Sequence, residues 1–124
     1  VGAMRTGLEE APDGFMRMAR FCADRARGGV GLIVTGGIAP DEAGGATPQM
    51  SKMLSDEDVA DHRLITEAVH EADGKIIMQI LHSGRYAYHP GAVSPSPIKA
   101  PISPVTPIEL TPEGVEKTIQ SFID

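Results

Sequence analysis

The sequence predicts an α/β fold, an incomplete (β/α)8 barrel made of roughly its first three βα units. Two apolar runs carry the first part of that prediction. Residues 30–35 (VGLIVT) and 75–82 (KIIMQILH) are short, continuous and rich in branched side chains, the pattern of strands covered on both faces. Segments with apolar residues at helical spacing lie between the extended runs, so the order implies parallel strands joined by right-handed crossovers. The connections are also lopsided. Two residues lead from each helix into the next strand, Gly28-Gly29 and Asp73-Gly74. About twenty or more leave each strand, against the usual ~2–6 for such units. All the long loops therefore gather at the C-terminal ends of the strands, the face on which α/β barrels and doubly wound sheets bind ligands.

Taken in order, residues 1–4 read as the tail of a strand and residues 5–10 as a polar turn. Pro12-Asp13 opens a helix whose apolar stripe is Phe15, Met18, Cys22 and Ala26, and Gly28-Gly29 stops it. After the strand at 30–35 comes a glycine-bearing loop over 36–54. Ser55 is placed as an N-cap with Asp58 three residues on, a capping-box arrangement. Ile65, Ala68, Val69 and Ala72 form the buried stripe of this second helix. The strand at 75–82 is followed by a proline-rich stretch, 83–110, that predicts no regular structure. Thr111-Pro112 starts a third helix, Thr as cap and Pro at the first helical position, with Val115, Ile119, Phe122 and Ile123 on its apolar face. The chain opens in a strand and stops in a helix without a C-cap. It therefore reads as residues from the N-terminal part of a larger barrel, since a closed one needs about 250 residues.

Bulk properties bound the chemistry. The 124 residues are 41% hydrophobic and 23% charged, with net charge −6, the balance of a globular domain. The negative sign argues against nucleic acid and anionic membranes, which reward clustered positive charge. Cys22 is the single cysteine. It can make neither an internal disulfide nor a thiolate metal site, which points to a reducing, cytoplasmic setting. No apolar run approaches the roughly 18 residues of a membrane span, and residues 1–10 lack the apolar core of a signal peptide. His62 and His70 stand eight apart and do not align as paired ligands on a helix, and no HExxH motif occurs, so no metal is expected. Asp56, Glu57 and Asp58 read as carboxylates complementing a helix N-terminus.

Three places at the strand ends could carry chemistry. Gly36-Gly37 leaves the strand at 30–35, where a missing side chain either lets a flat ring or phosphate approach or simply serves the turn. Gln79 interrupts an otherwise apolar strand. A buried amide without partners costs roughly 1–3 kcal/mol, so it should bond either neighbouring backbone or the donor–acceptor edge of a ring. His82-Ser83-Gly84-Arg85 begins where that strand ends, and the pair His82 and Arg85 reads as substrate-facing or as a solvated loop. Tyr86 and Tyr88 read as packing.

The stretches VGAMRTGLEEAPDG, LIVTGGIAPD, ITEAVHEADGKIIMQILHSGRYAY and PIELTPEGVEKTIQSFI together resemble the N-terminal part of the old yellow enzyme family. The likeness is greatest to the bacterial NADPH-dependent 2,4-dienoyl-CoA reductase branch. It covers essentially the whole chain and rests on three strand ends: a small residue and Met at the first, GG at the second, QxxHxGR at the third. The resemblance implies an FMN-binding TIM-barrel domain of which 1–124 is the N-terminal part. It implies that Ala3, Met4 and Arg5 run beside FMN, that Gly37 lies against its rings and that Gln79 bonds its pyrimidine edge. His82 and Arg85 would stand at the substrate pocket. Hydride from NAD(P)H would pass through the flavin to the β-carbon of an activated alkene, a small molecule or an enoyl-CoA. The family's proton-donating segment and last phosphate-binding loops come later in its sequence, as do the iron–sulfur (4Fe-4S) and FAD parts of the dienoyl-CoA reductase branch. No catalytic acid is therefore expected in these residues. Arg5 stands where relatives often carry His, Cys or Thr. Two readings without flavin stand beside this one: a barrel lyase or aldolase using Gln79, His82 and Arg85 on an oxyanionic substrate, and a binding module without chemistry.

Overall fold

The computed structural model describes Val1–Asp124 throughout. Two compact units emerge, Val1–Gly37 with Met53–Gln79, and Ile38–Lys52 with Ile80–Asp124.

The first unit holds the crossover that the sequence predicts. Helix α1 spans Gly14–Arg27, strand β1 Ile33–Ile38, helix α2 Asp56–Glu71 and strand β2 Ile76–Ile80. Ala19, Cys22 and Ala26 of α1 pack with Ile33, Ile65 and Val69 to form its core, and Phe15, Met18, Phe21 and Ile76 close around them. Small residues on α1 let α2 approach it. That approach ends at Gly74, where an added Cβ would stand 2.6 Å from the Ala26 Cβ and 2.9 Å from the Val69 Cγ1. Both helix stops behave as expected in place, with one exchange of roles. Gly29 takes the left-handed conformation after α1, but after α2 it is Asp73, φ 57°, and not Gly74 that does so. Asp tolerates that region better than most residues, which leaves Gly74 to provide room.

The start of α2 is built as a cap. Asp58 N–H donates to Ser55 Oγ at 3.2 Å, while Asp58 Oδ2 accepts from Leu54 N–H and from the Ser55 hydroxyl, each at 2.9 Å. His62 is buried, its Nδ1 bonded to Asp58 O at 2.8 Å and its ring edge-on to Phe15. It is a core histidine.

β1 pairs with β2 in a two-stranded sheet. Ile33 N–H donates to Lys75 O, and Gln79 N–H to the Thr35 hydroxyl, so partner positions rise together and the pair is parallel. β1 starts and ends about three residues later than the run VGLIVT suggests, because it continues through Gly36 and Gly37. Residues 1–4 form no regular strand, a correction to the sequence reading. They nevertheless occupy a strand's place. Val34 N–H donates to Val1 O at 3.0 Å, and since successive N–H groups of a strand point to opposite edges, this segment lies on the β1 edge away from β2. A second correction concerns cover. Ile77, Met78 and Ile80 of β2 and the following Leu81 are exposed, because side chains project from the faces of a sheet and, of β2, it is Ile76 that packs against the α1–α2 core.

The second unit is loop-rich and ordered by polar links between small buried residues. An isolated parallel bridge joins Ala39 to Lys52, and Lys52 Nζ pairs with Glu42 at 2.7 Å. Residues 83–110 hold more structure than their prolines predict. A 3-10 turn covers Gly84–Tyr86, and strands β3 (Val93–Ser94) and β4 (Ile108–Glu109) pair in parallel, Val93 opposite Ile108. The prolines sit beside the ladder and not in it: Ile108 and Leu110 supply the N–H donors, to Ala92 O and Ser94 O, with Pro107 just outside. Ala87, Ala92, Ala100 and Ser103 are buried, and the Ser103 hydroxyl donates to Ala87 O at 2.8 Å. Helix α3, Pro112–Ser121, is capped by Thr111, whose Oγ1 accepts from Gly114 N–H at 3.1 Å. Its apolar residues Val115, Ile119, Phe122 and Ile123 are all exposed. No helix is long and apolar enough to cross a membrane.

Candidate functional site

In the first unit, three strand-end features meet. The backbone of residues 4 and 5 passes directly over Gly36: a Cβ there would lie 3.0 Å from Met4 O and 3.1 Å from Arg5 Cα. The first glycine of the pair is thus required by the neighbouring main chain, and Gly37 follows it, buried, in β1. Ala3 and Met4 are exposed on the outer edge of β1. Arg5 forms an ion pair with Glu10, which sets a carboxylate against its charge.

Gln79 differs from expectation in a way that matters. Its side chain is exposed, not buried, so no desolvation cost compels a partner within the chain. Its backbone is what the fold holds. Gln79 N–H donates to Thr35 Oγ1 at 3.0 Å, and the same hydroxyl donates to Gly36 O at 2.8 Å. Thr35, which sequence reasoning treats only as the end of a strand, links the glycine pair to Gln79 and leaves the amide of Gln79 available. A hydroxyl one residue before GG, in an otherwise apolar run, was the available signal.

In the second unit, His82 and Arg85 take different roles. The His82 side chain is only 13% exposed. Its Nδ1 accepts from Gly84 N–H at 3.1 Å, while its Nε2 is buried without a hydrogen-bond partner and stands 3.7 Å from Asp41 Oδ1. Asp41 Oδ1 also accepts from Gly44 N–H at 2.7 Å, and Gly44 O accepts from Ser83 N–H at 2.8 Å. Gly44 has no room for a side chain, since a Cβ would come within 2.9 Å of the His82 ring. Neither Asp41 nor Gly44 stands out in the sequence, because their roles depend on a loop folding back. Arg85 is half-buried on the 3-10 turn, bonded to the Tyr86 hydroxyl at 3.3 Å and stacked toward its ring. It lines an open cleft of about 400 Å³ with Tyr86, Ser94, Ser96 and Ile98. No group of three or more His, Cys, Asp or Glu is placed to hold a metal ion.

Comparison with known proteins bears on the family and the fold. Residues 1–124 match the sequence model of the NADH:flavin oxidoreductase / NADH oxidase family. The chain is 37% identical over 110 residues to a metal reductase of Desulforamulus reducens, covering 86% of this chain and 16% of that protein. It is 37% identical over 106 residues to an NADPH dehydrogenase of Bacillus subtilis, covering 85% and 31%. It thus spans less than a third of the length of the curated relatives it matches. Among solved structures, the old yellow enzyme homologue from Zymomonas mobilis superimposes with a TM-score of 0.75 at 25% identity, over 85% of this chain and 33% of that one. A 2-naphthoyl-CoA reductase in complex with 2-naphthoyl-CoA gives 0.78 at 23% identity, over 87% and 19%, a likeness of fold. The strands and helices described above are therefore part of a (β/α)8 barrel, as the lopsided connections predict. With the match extending from its first residue to its last, the chain belongs to the NADH:flavin oxidoreductase / NADH oxidase family.

Proposed function

We propose that the protein carrying this chain is an FMN-dependent oxidoreductase that reduces activated alkenes with NAD(P)H. The observation that supports this reading best is the coupling of Thr35, Gly36 and Gln79: one hydroxyl bridges the glycine over which residues 4 and 5 pass and the strand position with an exposed amide. These residues fit FMN in kind. Gln79 offers a donor and an acceptor, as a pyrimidine edge requires. Ala3, Met4 and Arg5 offer main chain beside β1, and Gly37 adds no side chain between it and a flat ring. When bound, FMN supplies the hydride chemistry, and the protein contributes orientation and electrostatics.

The chain's own residues then divide the work. Thr35 fixes the Gln79 backbone, so the amide is presented from a strand and not from a mobile loop. Arg5 brings a cation to this wall with Glu10 beside it, which moderates its charge where relatives carry other residues. Arg85, on its turn, offers a guanidinium to an anionic or carbonyl oxygen of the substrate. No residue of 1–124 is assigned as the proton donor. The substrate class we favour is an enoyl thioester of the 2,4-dienoyl-CoA type, on the resemblance to that branch and on the fold shared with a reductase captured with an acyl-CoA. Iron–sulfur and FAD parts would belong to segments other than this chain, which has a single cysteine. Its free, buried Cys22 fits a cytoplasmic setting.

The test is the full-length protein, purified and examined for a flavin spectrum. It should be yellow, and Gln79→Leu should weaken FMN retention roughly tenfold or more, as for a lost hydrogen-bonded amide. A colourless protein that takes up no FMN, or a leucine variant that binds it unchanged, would overturn the assignment.

A further inference from the structure

The His82 ring is held by its own surroundings. It is largely enclosed, and one of its nitrogens is already used. Nδ1 accepts the Gly84 N–H at 3.1 Å, and an imidazole nitrogen can accept only when it carries no proton. With Nδ1 accepting, the ring proton belongs on Nε2. There it points into a buried space with no hydrogen-bond partner, 3.7 Å from Asp41 Oδ1. This is too long for a hydrogen bond, but the carboxylate still favours an N–H over a lone pair on that side. Asp41 is in turn oriented by Gly44 N–H at 2.7 Å. The ring fills the space that Gly44 leaves by having no side chain, and Gly44 O takes the N–H of Ser83, the residue next to His82.

We propose that His82 is a positioning residue: a neutral imidazole, protonated at Nε2, that locks the loop Asp41–Gly44 to the turn Gly84–Tyr86 and so sets the placement of Arg85. The Gly84 amide and the Asp41 carboxylate select one tautomer from opposite sides of the ring. Gly84 has φ +55°, so the turn it opens adopts a conformation most residues avoid, and the Nδ1 bond holds it there. Ser83 N–H bonds the preceding loop at Gly44 O, the His82 ring packs against Gly44, and Gly84 N–H bonds that ring, so the three residues before Arg85 are joined to the loop directly or through the imidazole. The inference rests on the proposed function only in giving Arg85 a substrate to meet; the lock itself stands on geometry within one unit.

The experiment uses the full-length protein loaded with FMN. Nitrogen-15 NMR of the imidazoles should show His82 neutral with its proton on Nε2, and Gly84 N–H should exchange slowly. His82→Asn keeps an acceptor near the Nδ1 position and should retain Gly84 protection and an almost unchanged KM. His82→Gln reaches toward Asp41 but offers Gly84 no acceptor at that place. It should lose the protection and raise KM for an enoyl thioester roughly tenfold, as for one lost hydrogen bond, with FMN content and kcat nearly kept. Gly44→Ala, which pushes on the ring, should behave like the glutamine variant. An Nδ1–H tautomer, an imidazolium, or a glutamine variant with natural exchange at Gly84 would overturn the proposal. If the variants do not fold, the tautomer of the natural protein decides. If the protein reduces no alkene, the proposed function fails, and the tautomer and exchange measurements still judge the lock.

Discussion

Cys22 shows how a single side chain is set by its surroundings. It is 5% exposed in the α1–α2 core, and burial pushes its thiol above the ordinary value, with Arg25 nearby pulling the other way. Because the folded thiol releases its proton later than the unfolded one, the unfolded state binds fewer protons above the ordinary thiol range. Its contribution to stability is therefore complete below about pH 8.5 and is lost as pH rises through the higher folded value. We expect Cys22 in the full-length protein to resist alkylation by iodoacetamide until unfolding, and Cys22→Ala to flatten the alkaline fall in stability; rapid labelling of the folded protein would contradict this. At the same scale, the sequence made Gln79 conspicuous for the wrong reason. An amide among isoleucines looks buried, yet it is exposed. Its backbone anchor, Thr35, was illegible because a hydroxyl's partner forty-four residues away is a matter of strand register, which local pattern does not specify.

Elements were more legible than their edges. The caps at Ser55 and Thr111 and the stops at Gly29 and Asp73-Gly74 obey local chemistry, so they can be read without the fold. The start of β1 could not, because a strand ends where its partners end. The short β3–β4 ladder was hidden for a related reason: prolines mark loops reliably, but they do not forbid two paired residues between them. Gly74 gives a test at this level. Gly74→Ala places a Cβ against Ala26 and Val69, an overpacking expected to cost about 1–3 kcal/mol. Gly31→Ala, where nothing lies within 4 Å, should change stability little. Denaturant unfolding of both variants in the full-length protein compares them, and equal midpoints would show that the helices can separate without penalty.

At the scale of the whole chain, the uncovered apolar surface is the dominant fact. Ile77, Met78, Ile80 and Leu81 are exposed, as are Val115, Ile119, Phe122 and Ile123. Strand edges and apolar faces of this kind promote association. Produced alone, these 124 residues should bind a hydrophobic dye, self-associate and hold no FMN tightly; a monomer with a cooperative melt and tight FMN binding would contradict that expectation. The barrel class was legible because it follows from connection lengths and alternation, which are written along the chain. The cover of β2 was not, because it depends on what packs against the faces of its sheet, which no local pattern states.

The lopsided connections have a consequence for how such a protein can diversify. The two-residue link at Gly74 has no spare volume, so a larger residue there must push on Ala26 and Val69. The loops after β1 and β2 are tied instead by several polar links, among them Gly44 N–H to Asp41 and Ser83 N–H to Gly44 O, and they carry their own tight spot at Gly44. The long loops at the C-terminal strand ends are still where a change of length is least constrained by packing, and the two-residue link before β2 is where it is most constrained.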